Sequence, residues 1–358
     1  MDMKNREIKL LESLVRIPSP SGFEEEIADF IREELLEMGV PRTRVKIDGQ
    51  GNVIATIKGT SDKTVMIDAH TDLIGFVVRN IDKDGIISIA GIGGADNAVL
   101  TARELVILTS KGRVNAVIDR KHAHLVDEES DEVIENIHEA VVDIGIRKRK
   151  KVNAVVKIGD PIIFKPSFNH LREGYYSGYG FDDKTGCFIL METIRKLLKS
   201  KKKPIPNLVF TFLVQEEVGG KKTIPLIKKY QPDLFIEADV TFATDYPNVD
   251  DRQAGKCELG KGIVVYRGVD IDADSVKLLE STARTNKIKI QIQATGGGIG
   301  YSVDDVTPYG IKGVCLGIPL RNMHTPVETI NMKDLKSGID LLVNFLLHRR
   351  LGNLLEKK

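Results

Sequence analysis

The 358 residues exceed the usual span of one hydrophobic core, so two domains, or one domain carrying a large insertion, are expected, and a peptide hormone or small stapled scaffold is excluded. The 52 basic and 51 acidic residues are spread along the chain, which argues against electrostatic capture of nucleic acid or of an anionic membrane. Hydrophobic residues make up 42%, as in a packed globular enzyme, and the three widely spaced cysteines offer neither a disulfide framework nor a thiolate zinc site, which points to a reducing compartment.

The N-terminal stretch alternates charged and apolar residues, and the longest apolar runs, such as Leu208 to Val214, are too short to span a bilayer. A cytoplasmic protein is expected. Ile8, Leu11, Leu14 and Val15 fall at helical spacing, and Pro18 and Pro20 stop that helix. Ser21 followed by Glu24 has the form of a capping box opening a second helix that lasts to about Met38. Strands are signalled at Val45 to Ile47, Asn52 to Ile57 and Val65 to Ala69, the last an apolar run but for Asp68, of the kind buried on both faces.

From about Phe76 to Ser167 the texture changes to short β-branched runs: Gly85 to Ile89, Leu105 to Leu108, Val114 to Ile118, Val155 to Val156 and Ile162 to Phe164, with one acidic helical stretch, Glu128 to His138. This predicts a β-rich domain over 76–167 inserted into an α/β domain made of 1–75 and 168–358. The α/β rhythm then returns. Helices are predicted over Asp183 to Leu198, Thr223 to Tyr230, Ser275 to Thr285 and Met332 to His348, and strands over Leu208 to Val214, Leu234 to Ala238, Lys289 to Gln293 and Val314 to Ile318. Lys199 to Lys203 reads as a solvated loop, since no aromatic residue is interleaved with it.

Ligands in α/β sheets gather at the carboxyl ends of strands, so the polar residues that follow buried apolar runs carry the functional signal. His70 and Asp72 follow Val65 to Ala69; Gln215, Glu216 and Glu217 follow Leu208 to Val214; Asp239 follows Leu234 to Ala238; His324 follows Val314 to Ile318 after a short loop; Asp182 and Asp183 open a helix. Each has an ordinary reading as a turn residue, an N-cap or a solvated pair. Together they are a His and carboxylate set suited to zinc, cobalt or manganese. Two histidines and three acids exceed what one catalytic ion with a bound water needs, so two ions sharing a carboxylate fit better. Asp182 is then the bridge, with His70, Glu217, Asp239 and His324 divided between the ions. The adjacent Glu216 and Glu217 need different roles, one as ligand and one as general base, because consecutive side chains in extended backbone diverge.

AHTDLIG (Ala69 to Gly75), GFDDKTG (Gly180 to Gly186), QEEVG (Gln215 to Gly219), EADVTFATDYP (Glu237 to Pro247), LGKG (Leu259 to Gly262) and MHTPVE (Met323 to Glu328) occur in the order, and across the span, of the M42 dinuclear metallo-aminopeptidases, TET-type enzymes sometimes labelled endoglucanases, which the chain therefore resembles. The resemblance implies a mixed-sheet α/β sandwich of the dinuclear zinc-peptidase type with an inserted β-rich dimerisation domain. It implies His70, Asp182, Glu217, Asp239 and His324 as ligands of two divalent ions, usually zinc or cobalt, with Asp182 bridging, Glu216 as general base and Asp72 orienting the His70 ring. It also implies peptide substrates and a homo-oligomer in which dimers assemble to a tetrahedral dodecamer. Two departures bear on the pocket for the substrate's amino terminus: Leu73 stands where relatives usually carry Glu, and GGGIGYSVDD (Gly296 to Asp305) where they commonly carry Gly-Thr-Asp-Ala.

Other features read as structural. His122 and His124 share a strand face as a partly exposed pair, Gly91 to Gly94 is a turn, Gly296 to Gly298 lacks the context of a phosphate loop, and Cys187 is packed within an apolar helix. Tyr175, Tyr176 and Tyr179 either line a pocket or pack at the surface. The alternative functions are a carboxylate-based glycosidase, which leaves His70 and His324 without a task, and a non-catalytic, metal-stabilised chamber protein, which needs no base.

Overall fold

The computed structural model describes residues 5–120, 124, 136–219, 222–298, 300 and 302–356. Eight strands form the main sheet, in the order Val45–Ile47, Val53–Ile57, Asn207–Leu213, Thr64–His70, Leu234–Phe242, Lys312–Leu320, Ile263–Gly268 and Ile290–Thr295. Four of them, from Asn207–Leu213 to Lys312–Leu320, run parallel, and all of their residues except Thr64, Asn207, Lys312 and the exposed Phe242 are buried. Continuous apolar runs suit such strands because helices cover both faces. Helices Asn5–Arg16, Glu25–Glu37, Phe181–Lys199, Ala273–Thr285 and Met332–Leu346 bury one face. Thr223–Tyr230 and Ser302–Val306 cover the other through Leu226, Ile227, Val303 and Val306.

The chain leaves the main sheet just after His70, and six strands, Gly75–Ile81, Ile87–Ile92, Val141–Asp143, Gly112–Ile118, Glu104–Thr109 and Pro161–Phe164, then close into a barrel. Phe76, Ile89, Ile107, Val142, Ile162 and Phe164 fill it as a core separate from those of the sheet. Phe164 meets Phe76 and Tyr179 edge-on, with ring centroids 5.3 and 5.4 Å apart; truncating so buried a ring to Ala costs about 3–5 kcal/mol. The return passes through a three-stranded sheet, Phe168–His170, Tyr175–Gly178 and Glu328–Asn331, which delivers the chain to the helix Phe181–Lys199.

Several local expectations change in the tertiary context. Ser21 and Glu24 do not form a capping box: Ser21 donates to Asp72 Oδ2 (2.6 Å), and Glu24 Oε1 accepts the N–H groups of Gly22 (2.8 Å) and Gln215 (3.1 Å). Val155 and Val156 lie in a turn and not in a strand. The strand beginning at Leu234 does not end at Ala238, because its pairing with Lys312–Leu320 continues to Phe242. The strands Ile263–Gly268 and Val141–Asp143 and the helix Arg349–Glu356 lie beyond the predicted elements, although that helix buries Leu351, Leu354 and Leu355 at helical spacing. Most of the acidic stretch Glu128 to His138, with His122, lies outside the described residues; Ile137–Glu139 is a 3-10 turn.

Candidate active site

Every residue proposed for the ion pair arrives at one edge of the main sheet. His70 ends the strand Thr64–His70, Asp239 sits near the end of Leu234–Phe242, and Glu216 and Glu217 lie in the turn after Asn207–Leu213. His324 is in the loop after Lys312–Leu320. Asp182 occupies the non-helical opening of Phe181–Lys199, before the regular turns begin. The backbone is left-handed at Gln215 (φ 58°) and His324 (φ 61°), the kind of strain that surrounding contacts hold in place at functional sites.

The Asp182 carboxylate stands between the two histidines, with Oδ1 3.1 Å from His70 Nε2 and Oδ2 3.3 Å from His324 Nε2. Asp239 Oδ1 lies 3.8 Å from His70 Nε2, and Glu217 Oε2 lies 3.4 Å from His324 Nε2. Bonds of about 2.1 Å to a tetrahedral ion put neighbouring donors about 3.4 Å apart, so these spacings suit metal ligation. Each imidazole presents Nε2 to carboxylates while Nδ1 faces other oxygens: the carbonyl (3.2 Å) and Oδ1 (3.4 Å) of Asp72 for His70, and the Gly94 carbonyl (3.0 Å) for His324. That orientation leaves Nε2 toward the acidic centre, as in a metal ligand whose other nitrogen is hydrogen-bonded. Asp183 also lies within reach of His70 and Asp239, but its oxygens accept the N–H groups of Gly186 (2.9 Å) and His70 (3.3 Å), so it braces the helix start.

The electrostatics describe a concentrated negative site. Burial, opposed by His70 and reinforced by the Asp182 and Glu216 carboxylates, pushes Asp239 up to about 8. Burial and then Asp182 push Glu217 well above the usual carboxylate range, and burial raises Glu216. Burial also acts against charge on His70, yet Asp182, Asp239 and Asp72 outweigh it and hold the ring well above the usual histidine range. Such crowding of carboxylates around two ring nitrogens is what divalent cations offset, so the residues fit the expected metals.

Asp72, fully buried, supports three pieces at once. Besides facing the His70 ring, its oxygens accept Glu216 N–H (3.0 Å), Glu217 N–H (3.1 Å) and the Ser21 hydroxyl. Burial opposes its ionisation, but the His70 ring and these donors keep it below the usual range. Its attachment to the glutamate turn as well as to His70 was not legible in the spacing. Two further partners also escaped sequence reasoning: Gly94, whose carbonyl holds His324 although Gly91 to Gly94 read as a turn, and Glu328, whose carboxylate accepts backbone N–H groups beside Asp182 and His324. For Glu328 the available signal was its place at the end of MHTPVE.

The site opens into a cleft of about 380 Å³ walled by Phe242, Met323, Gly219 and Gly300 as well as the acidic and histidine side chains. Leu73 is buried and packs against Gly180, so this position contributes apolar packing where relatives usually place Glu. Gly300, from the other departing segment, leaves the cleft wall without a side chain. Tyr176 and Tyr179 are buried and do not line it. Cys187 is fully buried, its thiol donates to the His70 carbonyl (3.0 Å), and burial raises its pKa, which suits packing and not nucleophilic attack.

The sequence profile of the M42 glutamyl aminopeptidase family matches residues 51–341. The chain belongs to the M42 family. It is 30% identical over 338 residues to the lysyl aminopeptidase of Pyrococcus furiosus, covering 93% of this chain and 94% of that one. The crystal structure of the TET aminopeptidase from the marine sediment archaeon Thaumarchaeota archaeon SCGC AB-539-E09 superposes with a TM-score of 0.89 at 26% identity, over 98% of each chain. Pyrococcus horikoshii TET1 peptidase, described as able to assemble into a tetrahedron or a large octahedral shell, gives 0.84 at 29% identity, over 96% of this chain and 99% of that one. This M42 protein is a metal-dependent aminopeptidase with a mixed α/β fold of several sheets. The glycosidase alternative is thereby set aside, and so is a non-catalytic chamber protein. No helix among the described residues is long and apolar enough to cross a membrane.

Proposed function

We propose that this M42 aminopeptidase works through two divalent cations, zinc or cobalt, that share Asp182, one completed by His70 and Asp239 and the other by His324 and Glu217. The observation that carries this reading is the Asp182 carboxylate, which turns one oxygen to each histidine at 3.1 and 3.3 Å. When bound, the cations supply Lewis acidity and neutralise the crowded carboxylates. Glu216 is the general base: its carboxylate takes a proton from the attacking water and returns it to the leaving amine, a role suited by a pKa that burial raises above the ordinary value. Asp72 keeps the His70 ring and the Glu216 backbone in register. The acidic cleft attracts a substrate's free α-amine, and the apolar Phe242 and Met323 border it where side chains and excluded water count. The test is release of the first residue from an unblocked peptide and from its N-acetylated form, before and after chelation. Only the unblocked peptide should be cut, and cobalt or zinc should restore the chelated enzyme. Full activity in protein shown by elemental analysis to be metal-free would sink the mechanism.

The barrel, residues 76–167 in the sequence division, is proposed as an inserted dimerisation domain of a cytoplasmic protein, and a tetrahedral dodecamer of dimers as the assembly, the tetrahedron being supported by the likeness to TET1. Replacing the barrel with a Gly-Ser linker should lower the solution mass by light scattering. An unchanged mass would move the interface elsewhere.

A further inference from the structure

Glu328 is 2% exposed and opens the strand Glu328–Asn331, opposite Gly178 of the strand that leads into the site helix. Its Oε2 accepts the N–H groups of Gly180 (3.1 Å), Phe181 (2.7 Å) and Asp182 (3.3 Å), and its Oε1 accepts the N–H of His324 (3.1 Å). Gly180 (φ 87°) and His324 (φ 61°) are both left-handed, which turns these donors toward one point instead of along a helix or strand ladder. Successive N–H groups turned inward in this way make a concave anion-binding nest, here filled by a side chain. The donors come from two segments distant in the chain, one carrying Asp182 and the other His324. A carboxylate whose only task was to satisfy a kinked helix start would need just the first segment.

We infer that Glu328 is a positioning residue that ties the Asp182 segment to His324, so that affinity at the ion site containing His324 and Glu217 depends on it. The inference rests on the two-ion reading above. Because Glu328 contacts backbone and none of the proposed ligand atoms, it acts by fixing where those atoms stand, and partners of this kind typically change metal affinity by about 10–100-fold.

The test uses full-length protein stripped with chelator, dialysed to equilibrium against graded cobalt, with bound metal counted by elemental analysis and the visible cobalt absorption recorded. The starting protein should take up two ions per subunit; failure of that step overturns the two-ion reading itself. Glu328→Gln keeps one acceptor oxygen but sets an NH2 group against N–H donors. It should stay folded by circular dichroism, bind its weaker ion about 10–100-fold less tightly, show an altered cobalt spectrum, and refill in excess cobalt. Glu328→Asp, with the charge kept on a shorter arm, should fall between the two. Two ions bound by folded Glu328→Gln with unchanged affinity and spectrum would overturn the inference. If the Gln variant does not fold, the Asp variant decides: weakened second-ion affinity supports the clamp, and unchanged affinity overturns it.

Discussion

The two halves of the site are built differently. His70 and Asp239 stand on neighbouring strands of the main sheet, and the His70 side chain is 3% exposed. His324 and Glu217 stand on turns, His324 is 32% exposed, and its ring is held by a carbonyl from the segment between barrel strands. Strand positions are fixed by a ladder of hydrogen bonds that cannot shift one ligand alone. Loop positions depend on a few side-chain struts, namely Asp72, Glu24 and Glu328. The comparison teaches that one of the two proposed ion sites follows from the fold, whereas the other is assembled from separate parts of the chain.

The largest effect should come from the residue common to both halves. Asp182→Ala should empty both sites and lower aminopeptidase activity by roughly 10³-fold or more, read as metal content beside peptide hydrolysis. Retention of one tightly held ion would mean the halves are independent. Glu216→Gln should lower kcat by about 10²-fold while both ions stay bound. A fall in metal stoichiometry there, with none in Glu217→Gln, would reverse the two roles.

The next pair addresses the contrast directly. His324→Ala should weaken one ion by roughly 10–100-fold and regain part of its activity in excess cobalt. His70→Ala should lose its ion and also unfold at a lower temperature, because it leaves the fully buried Asp72 without its ring partner. Equal thermal midpoints for the two variants would erase the distinction between fold-borne and loop-borne ligands.

The smallest effect concerns a strut. Burial lifts Glu24, which accepts Gln215 N–H beneath the glutamate turn, up to about 7. A carboxyl whose folded-state pKa is raised contributes stability that is full below its unfolded value and is lost as pH rises through the folded one. Glu24→Gln, which keeps a carbonyl acceptor, should therefore flatten the decline of the thermal midpoint between the ordinary value of 4.5 and about pH 7, by a few degrees. An identical decline in the variant would assign it to other groups.

Much of the architecture and the candidate ligands was legible because both follow from local chemistry. The runs Val65 to Ala69 and Leu208 to Val214 are apolar but for Asp68 and Thr211 because helices cover both faces of their strands, and the polar residue ending such a run stands at the sheet edge whatever the rest of the chain does. Tertiary structure alone decided that Ser21 serves Asp72 and not a helix cap, that Gly94 holds His324, and that Glu328 gathers four N–H groups. Apart from the one between Glu328 and His324, four residues apart, each of these contacts joins segments far apart in the chain, and all but the first use backbone N–H or C=O groups. Those groups are carried by nearly every residue, so residue type and spacing hold no trace of them.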